Sequence, residues 1–266
     1  MMDKSAAHTN FLKNLRRRRW AILTCQALIL AGFFGIWELA ASFGWIEAFI
    51  FSSPSRMYRM FISMMERGEL LRHVWVTAGQ VLAGFVLGTL LGVAIAILLW
   101  ANDFTRRVLN PYLVVFNALP KTALAPIIIV WMGNNPRAII ATALLISVVV
   151  TILNVLTGFL QVEEDKTRLA ESFGASKAQI LAKVVFPASV PDIINAIKIN
   201  IGLSFVGVIV GEFLVAQAGL GFLIVYGSQI FRMDMVMLSI LVLCSLAAVF
   251  YAVITIIEKR FAGWAE

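Results

Sequence analysis

The chain alternates long apolar runs with short polar segments, and this pattern predicts six helices that cross a membrane. The apolar runs cover about residues 20–43, 73–100, 108–132, 137–160, 188–216 and 235–257. Each run reaches the roughly 20 residues that an α-helix needs to span the hydrocarbon core of a bilayer. The pattern therefore predicts an all-α membrane protein with six transmembrane helices.

The segment 52–70, between the first two runs, has a different periodicity. A Ser-Pro pair breaks the chain, and Met57, Met60, Phe61 and Met64 then follow at helical spacing. This spacing predicts a short amphipathic helix that lies at the membrane surface. The alternative is a linker helix that packs on the transmembrane bundle.

The polar segment 161–187 separates the fourth run from the fifth. Good helix formers precede Gly174, which is a plausible C-cap. Ser176, with Gln179 three residues later, predicts the N-cap of a second helix, and Pro187 marks the start of the next span. A protruding helix–turn–helix of this kind is a natural surface for a protein partner. The alternative is a solvated loop with no partner.

Composition and charge agree with a membrane protein and give it an orientation. Apolar residues make up 61% of the chain and charged residues 14%, whereas soluble domains carry about 25% charge. Most of the 22 lysines and arginines lie in the N-terminal tail, in 101–107, in 161–187 and near the C-terminus. Basic residues accumulate in cytoplasmic loops, so we expect both termini and segment 161–187 in the cytoplasm. Because the bases lie in short loops between apolar runs, a nucleic-acid surface is disfavoured.

The sequence shows no motif for chemistry of its own. It contains no phosphate-binding G-x-x-x-x-G-K-[ST] loop, no Ser-His-Asp set and no H-E-x-x-H motif. His8 and His73 are far apart, and Cys25 and Cys244 both lie in apolar runs, so a metal site or a disulfide is not expected. We therefore expect no catalytic residues and no metal, with energy supplied by another chain.

Polar residues within the spans are the candidates for a translocation path, because such residues are rare in membranes and usually functional. Pro120 and Pro126 should break the third span. Lys121 and Lys198 would favour an anion; alternatively they snorkel to the interface or pair with Glu38 or Glu212. The path residues proposed from the sequence are Asn117, Lys121, Lys198 and Ser204.

Glu212 lies near the outer end of the fifth span, among glycines at 211, 219 and 221. These glycines indicate a close helix approach or a turn. Glu212 there is a candidate gate, or a contact for a binding protein. The structural alternative is that it faces water at the interface.

Several of these stretches resemble ABC-transporter permeases. Their EAA loop reads Glu-Ala-Ala, three residues, Gly, nine residues, Ile, any residue, Leu-Pro. Gly174, Pro187 and Ala170 match; Val184 and Phe186 stand for Ile and Leu, and Arg168 and Leu169 replace Glu and the first Ala. The stretches 51–61 (FSSPSRMYRMF), 119–133 (LPKTALAPIIIVWMG) and 210–224 (VGEFLVAQAGLGFLI) resemble permeases for nitrate, sulfonate and taurine.

The resemblance implies a type I ABC-importer permease fold. It divides the chain into a cytoplasmic tail 1–19, a first span and surface segment 20–72, and a permease core 73–260. Loop 161–187 would hold the coupling helix that contacts the ATPase. The coupling residues that it implies are Arg168, Ala170, Glu171, Gly174, Ala175, Ser176 and Pro187.

The resemblance also implies partners, a location and a substrate class. The chain would bind no cofactor; ATP and Mg²⁺ would bind to a separate cytoplasmic ATPase. A substrate-binding protein would deliver the solute to a permease homodimer in the bacterial inner membrane. The solute would be an aliphatic sulfonate, taurine or nitrate, with a thiamine-type pyrimidine precursor or another small organic as the alternative. The rival class is an ion-driven secondary transporter.

Overall fold

A computed structural model of the chain describes residues 6–262, which are mostly helical. The first helices are α1 (Ala6–Ser42), α2 (Ala48–Phe51), α3 (Pro54–Glu66), α4 (Glu69–Ala101) and α5 (Asp103–Ala118). A 3-10 turn (Lys121–Leu124) leads to α6 (Ala125–Met132), α7 (Pro136–Leu160) and α8 (Glu164–Ser172). The chain continues with α9 (Lys177–Ile180), a π-helical turn (Leu181–Val185), α10 (Phe186–Ala188), α11 (Val190–Val215), α12 (Leu220–Gln229) and α13 (Met233–Ala262).

Five of the six predicted spans form single long helices, and the third is broken. Five helices (α1, α4, α7, α11 and α13) are long and apolar enough to cross a membrane. The third span consists of α5 followed by the 3-10 turn and α6, and its two parts meet at an angle of 87°. Pro120 lies at the break, where its missing N–H and its ring oppose a continuous helix.

The centre of the bundle is the packing of α4 and α11 on α7. Contacts between α4 and α7 advance in the same direction along both helices, so these two spans are parallel. Three close approaches define the contact: Gly84 with Ala143, Gly88 with Ser147, and Gly92 with Thr151. Contacts of α11 with α7 advance in opposite directions, from Gly207 near Ala143 to Gly211 near Ile139.

This packing separates two ends of the bundle. The ends of α4 and α7 lie beside loop 161–187, since Lys177 Nζ donates to the carbonyl oxygen of Ala101 at 3.3 Å. We call this the loop end. The start of α4 and the end of α11 lie at the opposite, far end, together with α3 and the start of α13.

Helix α3 forms as predicted, but protein rather than lipid covers its apolar face. Met57, Met60 and Met64 are buried, and the last two contact Leu220 and Met235 in one apolar cluster. The surface-helix interpretation of this face is therefore wrong, and the linker-helix alternative is right. Periodicity shows that a helix has an apolar face, but it does not show what covers that face.

The first span begins earlier than the apolar run indicates. Helix α1 starts at Ala6 and continues without interruption to Ser42, so the basic residues 13–18 extend the same helix. The predicted boundary at residue 19 is not a structural break. Residues 1–5 of the predicted tail lie outside the described residues.

Candidate functional site

Loop 161–187 begins with a helix that ends in a Schellman motif. The N–H of Gly174 donates to the carbonyl oxygen of Glu171 at 2.8 Å, and the N–H of Ala175 donates to that of Ala170 at 3.1 Å. Gly174 has a φ of 79°, the left-handed conformation that this motif requires. The predicted glycine stop is thus confirmed, and it ends α8 before α9 begins.

The second helix of the loop begins with the capping box expected from the sequence. Ser176 Oγ accepts the N–H of Gln179 at 3.4 Å, and Gln179 Oε1 accepts the N–H of Ser176 at 2.8 Å. The predicted boundary at Pro187 is less sharp than expected, because a π-helical turn and α10 lead almost directly into α11. Pro187 lies within α10, and a turn at Ser189 separates it from the span.

Apolar side chains join the loop to three transmembrane helices. Ile180 and Val185 are buried in a cluster that is completed by the loop ends of α4, α7 and α11. Members of this cluster from the spans are Ala96, Leu99, Ile152, Val155, Leu156, Phe159, Ile193 and Ala196. Ser189 Oγ also donates to the carbonyl oxygen of Gly158 at 3.1 Å. A displacement of the loop therefore acts directly on these helix ends.

The outer surface of the loop is exposed and combines apolar and charged side chains. Leu169 and Phe173 expose 59% and 83% of their surface, and Phe173 directly precedes the glycine turn. Arg168 pairs with Glu164 at 2.8 Å, and Glu171 is exposed on the same helix. Aromatic side chains are enriched at protein–protein interfaces, so Leu169 and Phe173 are candidate contacts for a protein partner.

The break of the third span places Lys121 beside Asn117. Lys121 Nζ donates to both the carbonyl oxygen and Oδ1 of Asn117, each at 3.2 Å. Asn117 is exposed and Lys121 is partly exposed. These two predicted path residues are therefore close together, at a position where an ammonium group remains accessible.

The other two predicted path residues lie elsewhere and are engaged. Lys198 Nζ forms a 2.6 Å ion pair with Glu258 of α13, so the suggested pairing of either lysine with Glu38 or Glu212 is wrong. Ser204 is fully buried, and its hydroxyl donates to Asn200 Oδ1 at 3.5 Å. The sequence could not show these contacts. Glu258 is distant from Lys198 along the chain, and local pattern does not show which face of α11 is turned towards the interior.

Glu212 lies in the interior and binds the start of α12. Its Oε1 accepts the hydroxyl of Thr77 at 2.8 Å, and its Oε2 accepts the N–H of Gly221 at 2.6 Å. The side chain is only 1% exposed, so the alternative that it faces water is wrong. A gating role stays a prediction.

Two residues that the sequence did not single out complete this arrangement. Thr77 Oγ1 accepts the N–H of Leu220 at 2.8 Å, and His73 Nδ1 accepts the N–H of Gly219 at 2.9 Å. Three consecutive backbone donors at the start of α12 are thus satisfied by side chains of α4 and α11. We call these contacts the Glu212 network. His73 and Thr77 are four residues apart and so lie on one face of the helix. This spacing is the sequence pattern that could have indicated a shared contact.

Across residues 6–262, no group of three or more His, Cys, Asp and Glu side chains has a geometry that could hold a metal ion. The features that remain are an exposed loop joined to three spans, a broken span with an accessible lysine, and a buried network at the far end. This combination suits movement of helices rather than covalent chemistry.

Comparison with known proteins gives a consistent result. A family described as binding-protein-dependent transport system inner membrane component matches residues 86–263. The chain is 24% identical over 247 residues to the putative aliphatic sulfonates transport permease protein SsuC of Escherichia coli K12, covering 93% of this chain and 94% of that one. A probable ABC transporter permease of Haemophilus influenzae is 28% identical, covering 88% and 95%. The taurine transport system permease TauC of E. coli K12 is 22% identical, covering 92% of each.

Solved structures show the same fold. The inward-facing MetNI methionine ABC transporter matches with a TM-score of 0.64 at 20% identity, covering 77% of this chain and 98% of that chain. A bacterial ABC transporter that imports alginate matches with a TM-score of 0.65 at 14% identity, covering 94% and 98%.

Proposed function

We propose that the chain, which belongs to the family of binding-protein-dependent transport system inner membrane components, carries a small oxyanion, above all an aliphatic sulfonate, across the membrane. It is the membrane-spanning permease subunit of an ABC importer and is not an enzyme. A separate subunit hydrolyses ATP, and a substrate-binding protein brings the solute to the permease.

Loop 161–187 is the coupling surface in this proposal. The supporting observation is its construction: a glycine turn and a capping box fix two short helices, and Ile180 and Val185 fasten them to the spans. Exposed Leu169 and Phe173 supply the apolar contact for the ATPase, with Arg168 and Glu171 beside them. ATP and Mg²⁺ bind to the ATPase.

The mechanism is alternating access. Closure of two ATPases on ATP moves the two coupling surfaces of a permease dimer. Because the loop shares one apolar cluster with α4, α7 and α11, its displacement tilts the loop ends of these helices. Packed interfaces switch between discrete arrangements rather than deforming continuously, so the tilt exchanges one access state for the other.

The proposed substrate class rests on the relatives and on Lys121. The name of SsuC refers to aliphatic sulfonates and that of TauC to taurine. Lys121 presents an accessible ammonium group at the break of the third span, whereas the charge of Lys198 is balanced by Glu258. Among the described residues, Lys121 has no carboxylate oxygen within 4.0 Å. Such a cation in the path favours a monovalent anion over a cation or a neutral solute.

Uptake by the complete transporter in proteoliposomes tests the substrate. We expect ATP-dependent uptake of short alkanesulfonates, with competition by taurine and weaker competition by nitrate. Lys121→Met should lower sulfonate uptake about tenfold, the effect of losing one charge-assisted contact, while Lys121→Arg keeps most of it. Both variants should reach the membrane at normal levels.

Three results would redirect this proposal. Unchanged uptake by Lys121→Met would remove this lysine from the path. Uptake of a pyrimidine or another uncharged organic, and not of sulfonates, would change the substrate class. Uptake that survives without ATP but stops when the ion gradient is dissipated would indicate a secondary transporter.

A further inference from the structure

A basic cavity of about 280 Å³ lies at the far end of the bundle, where α3 meets the start of α13. Its lining residues are Arg56, Arg59, Met60, Ser63, Arg232 and Asp234. Three guanidinium groups therefore face one carboxylate, and the cavity has an excess of positive charge. None of these residues belongs to loop 161–187 or to the path proposed above.

One of the three arginines is neutralised and holds the cavity together. Arg56 binds Asp234 through two contacts, Nε to Oδ1 at 3.0 Å and Nη2 to Oδ2 at 3.2 Å. Ser52 Oγ donates to the same Oδ1 at 2.7 Å. Asp234 is therefore engaged by its neighbours and does not neutralise the other guanidiniums.

No ion pair holds Arg59 or Arg232 among the described residues, although Glu38 of α1 lies near enough to Arg59 to interact with it electrostatically. Within the part of the chain that the structure describes, neither has a carboxylate oxygen within 4.0 Å, and both are exposed. Arg232 Nη2 has Met60 Sδ as a neighbour at 3.8 Å. Guanidinium groups bind phosphate oxygens in a forked geometry, so two of them on one cavity suit a phosphate.

Backbone strain is concentrated beside this cavity. Among the described residues, the non-glycine residues with left-handed φ are Ser52, at 57°, and Phe231, at 55°. Ser52 uses this conformation to reach Asp234. Phe231 occupies the C-terminal turn of α12, a position that favours glycine, with the N–H of Arg232 bound to the carbonyl oxygen of Gly227 at 2.8 Å. Such strain often marks functional sites.

Exposed aromatic rings accompany Arg59 and Arg232. Phe231 precedes Arg232, Tyr58 precedes Arg59, and each ring exposes 66% of its surface. A phenylalanine that is both strained and exposed gains nothing from the protein interior. Aromatic side chains beside cations are typical of the headgroup level of a membrane.

The helices beside the cavity bury little of their surface within the chain. The most apolar windows of α1 and α13 are 0% and 6% buried, against 50% in α7 and 44% in α11. The cavity lies at the start of α13, and α3 is joined to α1 through the N–H of Ser55, which donates to Glu38 Oε2 at 2.9 Å. It thus adjoins the periphery of the bundle rather than the α4–α7–α11 centre.

We propose that this cavity binds the phosphate of an anionic phospholipid, on the membrane face opposite loop 161–187. Arg59 and Arg232 hold the phosphate, while Phe231 and Tyr58 contact the glycerol and upper acyl region. The lipid then fixes α3 against α13 from outside. This site is independent of the transported solute.

Native mass spectrometry of the detergent-purified transporter, supplied with phosphatidylglycerol or phosphatidylethanolamine, tests this site. The double variant Arg59→Gln/Arg232→Gln should retain at least tenfold less phosphatidylglycerol, since two charge-assisted contacts are lost. Arg72→Gln/Arg137→Gln is the matched control, because it removes two exposed arginines from the same face. The control and the unaltered protein should retain phosphatidylglycerol and little phosphatidylethanolamine.

Three outcomes would overturn the proposal. Equal phosphatidylglycerol retention by the double variant and the control would show that the lipid does not bind here. Displacement of the lipid by millimolar inorganic phosphate or sulfonate would assign the cavity to a soluble anion. If the double variant retains the lipid normally but no longer associates with the substrate-binding protein, the cavity is a protein-docking site instead.

Discussion

Gly174 shows how a single residue determines the form of the coupling surface. Its φ of 79° allows the turn between α8 and α9, and no atom outside its immediate neighbourhood lies within 4 Å of the position that a Cβ would take. The requirement at this position is therefore conformational rather than steric. Asn and Asp adopt left-handed φ more readily than other non-glycine residues, so they are suitable probes.

We predict that Gly174→Asp separates folding from coupling. Both Gly174→Asp and Gly174→Asn should fold and reach the membrane, with a destabilisation of about 1 kcal/mol from the left-handed backbone. Only the aspartate adds a charge to the docking surface, so only it should reduce ATPase association and transport. Co-purification and uptake measure the difference; equal transport by the two variants and the unaltered protein would remove this turn from the interface.

Glu212 illustrates a buried carboxylate that is satisfied by hydrogen bonds. It accepts the Thr77 hydroxyl and the N–H of Gly221, and Thr77 in turn accepts the N–H of Leu220. A helix start buried in the protein needs such partners, because its first N–H groups have none within the helix. The Glu212 network therefore determines where α12 begins.

We predict that Glu212→Leu destabilises the far end more than Glu212→Gln. Leucine leaves the buried N–H of Gly221 without an acceptor, at a cost of about 1–3 kcal/mol. Glutamine can still accept this N–H and donate to Thr77 Oγ1. Thermal unfolding in detergent and hydrogen exchange at residues 219–221 report the change. Glu212→Leu with unchanged unfolding temperature and exchange would contradict this role.

At the scale of elements, the contact of α4 with α7 depends on small residues. A Cβ added at Gly88 would lie 2.7 Å from Ser147 Oγ, and one added at Gly92 would lie 2.6 Å from Thr151 Cγ2. Small residues allow close helix approach in membranes, where van der Waals packing replaces the hydrophobic drive between helices. The parallel contact of these spans is therefore tight on its loop-end half.

We predict opposite effects for two glycine-to-alanine changes in α4. Gly92→Ala should destabilise the protein by about 1–3 kcal/mol through overpacking against Thr151. Gly79→Ala, where no such neighbour lies within 4 Å, should be neutral or slightly stabilising because alanine favours the helix. Thermal unfolding of the two variants in the same detergent compares them. A stabilising Gly92→Ala would show that the α4–α7 contact is looser than described.

The sequence predicts elements better than it predicts their neighbours. Periodicity identified the six spans, Pro120 the break, and Ser176 with Gln179 the capping box, because each depends on residues close along the chain. The partners of Lys198 and Glu212 depend on how helices rotate and pack, which local pattern does not encode. For the same reason periodicity predicts a helix at the membrane surface for 52–70, although α12 and α13 cover the apolar face of α3.

At the scale of the whole molecule, the two ends of the bundle have different constructions. The loop end is an exposed surface fixed to three spans by an apolar cluster, which suits the transmission of a displacement. The far end is held by the Glu212 network and by the Arg56–Asp234 pair. In the proposed mechanism, helix movement begins at the loop end and reaches the far end along α4, α7 and α11.

The measurement that tests this account most directly is site-specific cross-linking of the permease in its native membrane. Cys25 and Cys244 are exposed, so they are first replaced by alanine. A single cysteine is then placed in loop 161–187, as Ser176→Cys, or at the far end, as Ser228→Cys. The account predicts that Ser176→Cys captures an ATPase subunit and Ser228→Cys does not. The account would be contradicted if Ser228→Cys captured the ATPase and Ser176→Cys did not. It would also be contradicted if Ser176→Cys gave no cross-link to an ATPase subunit.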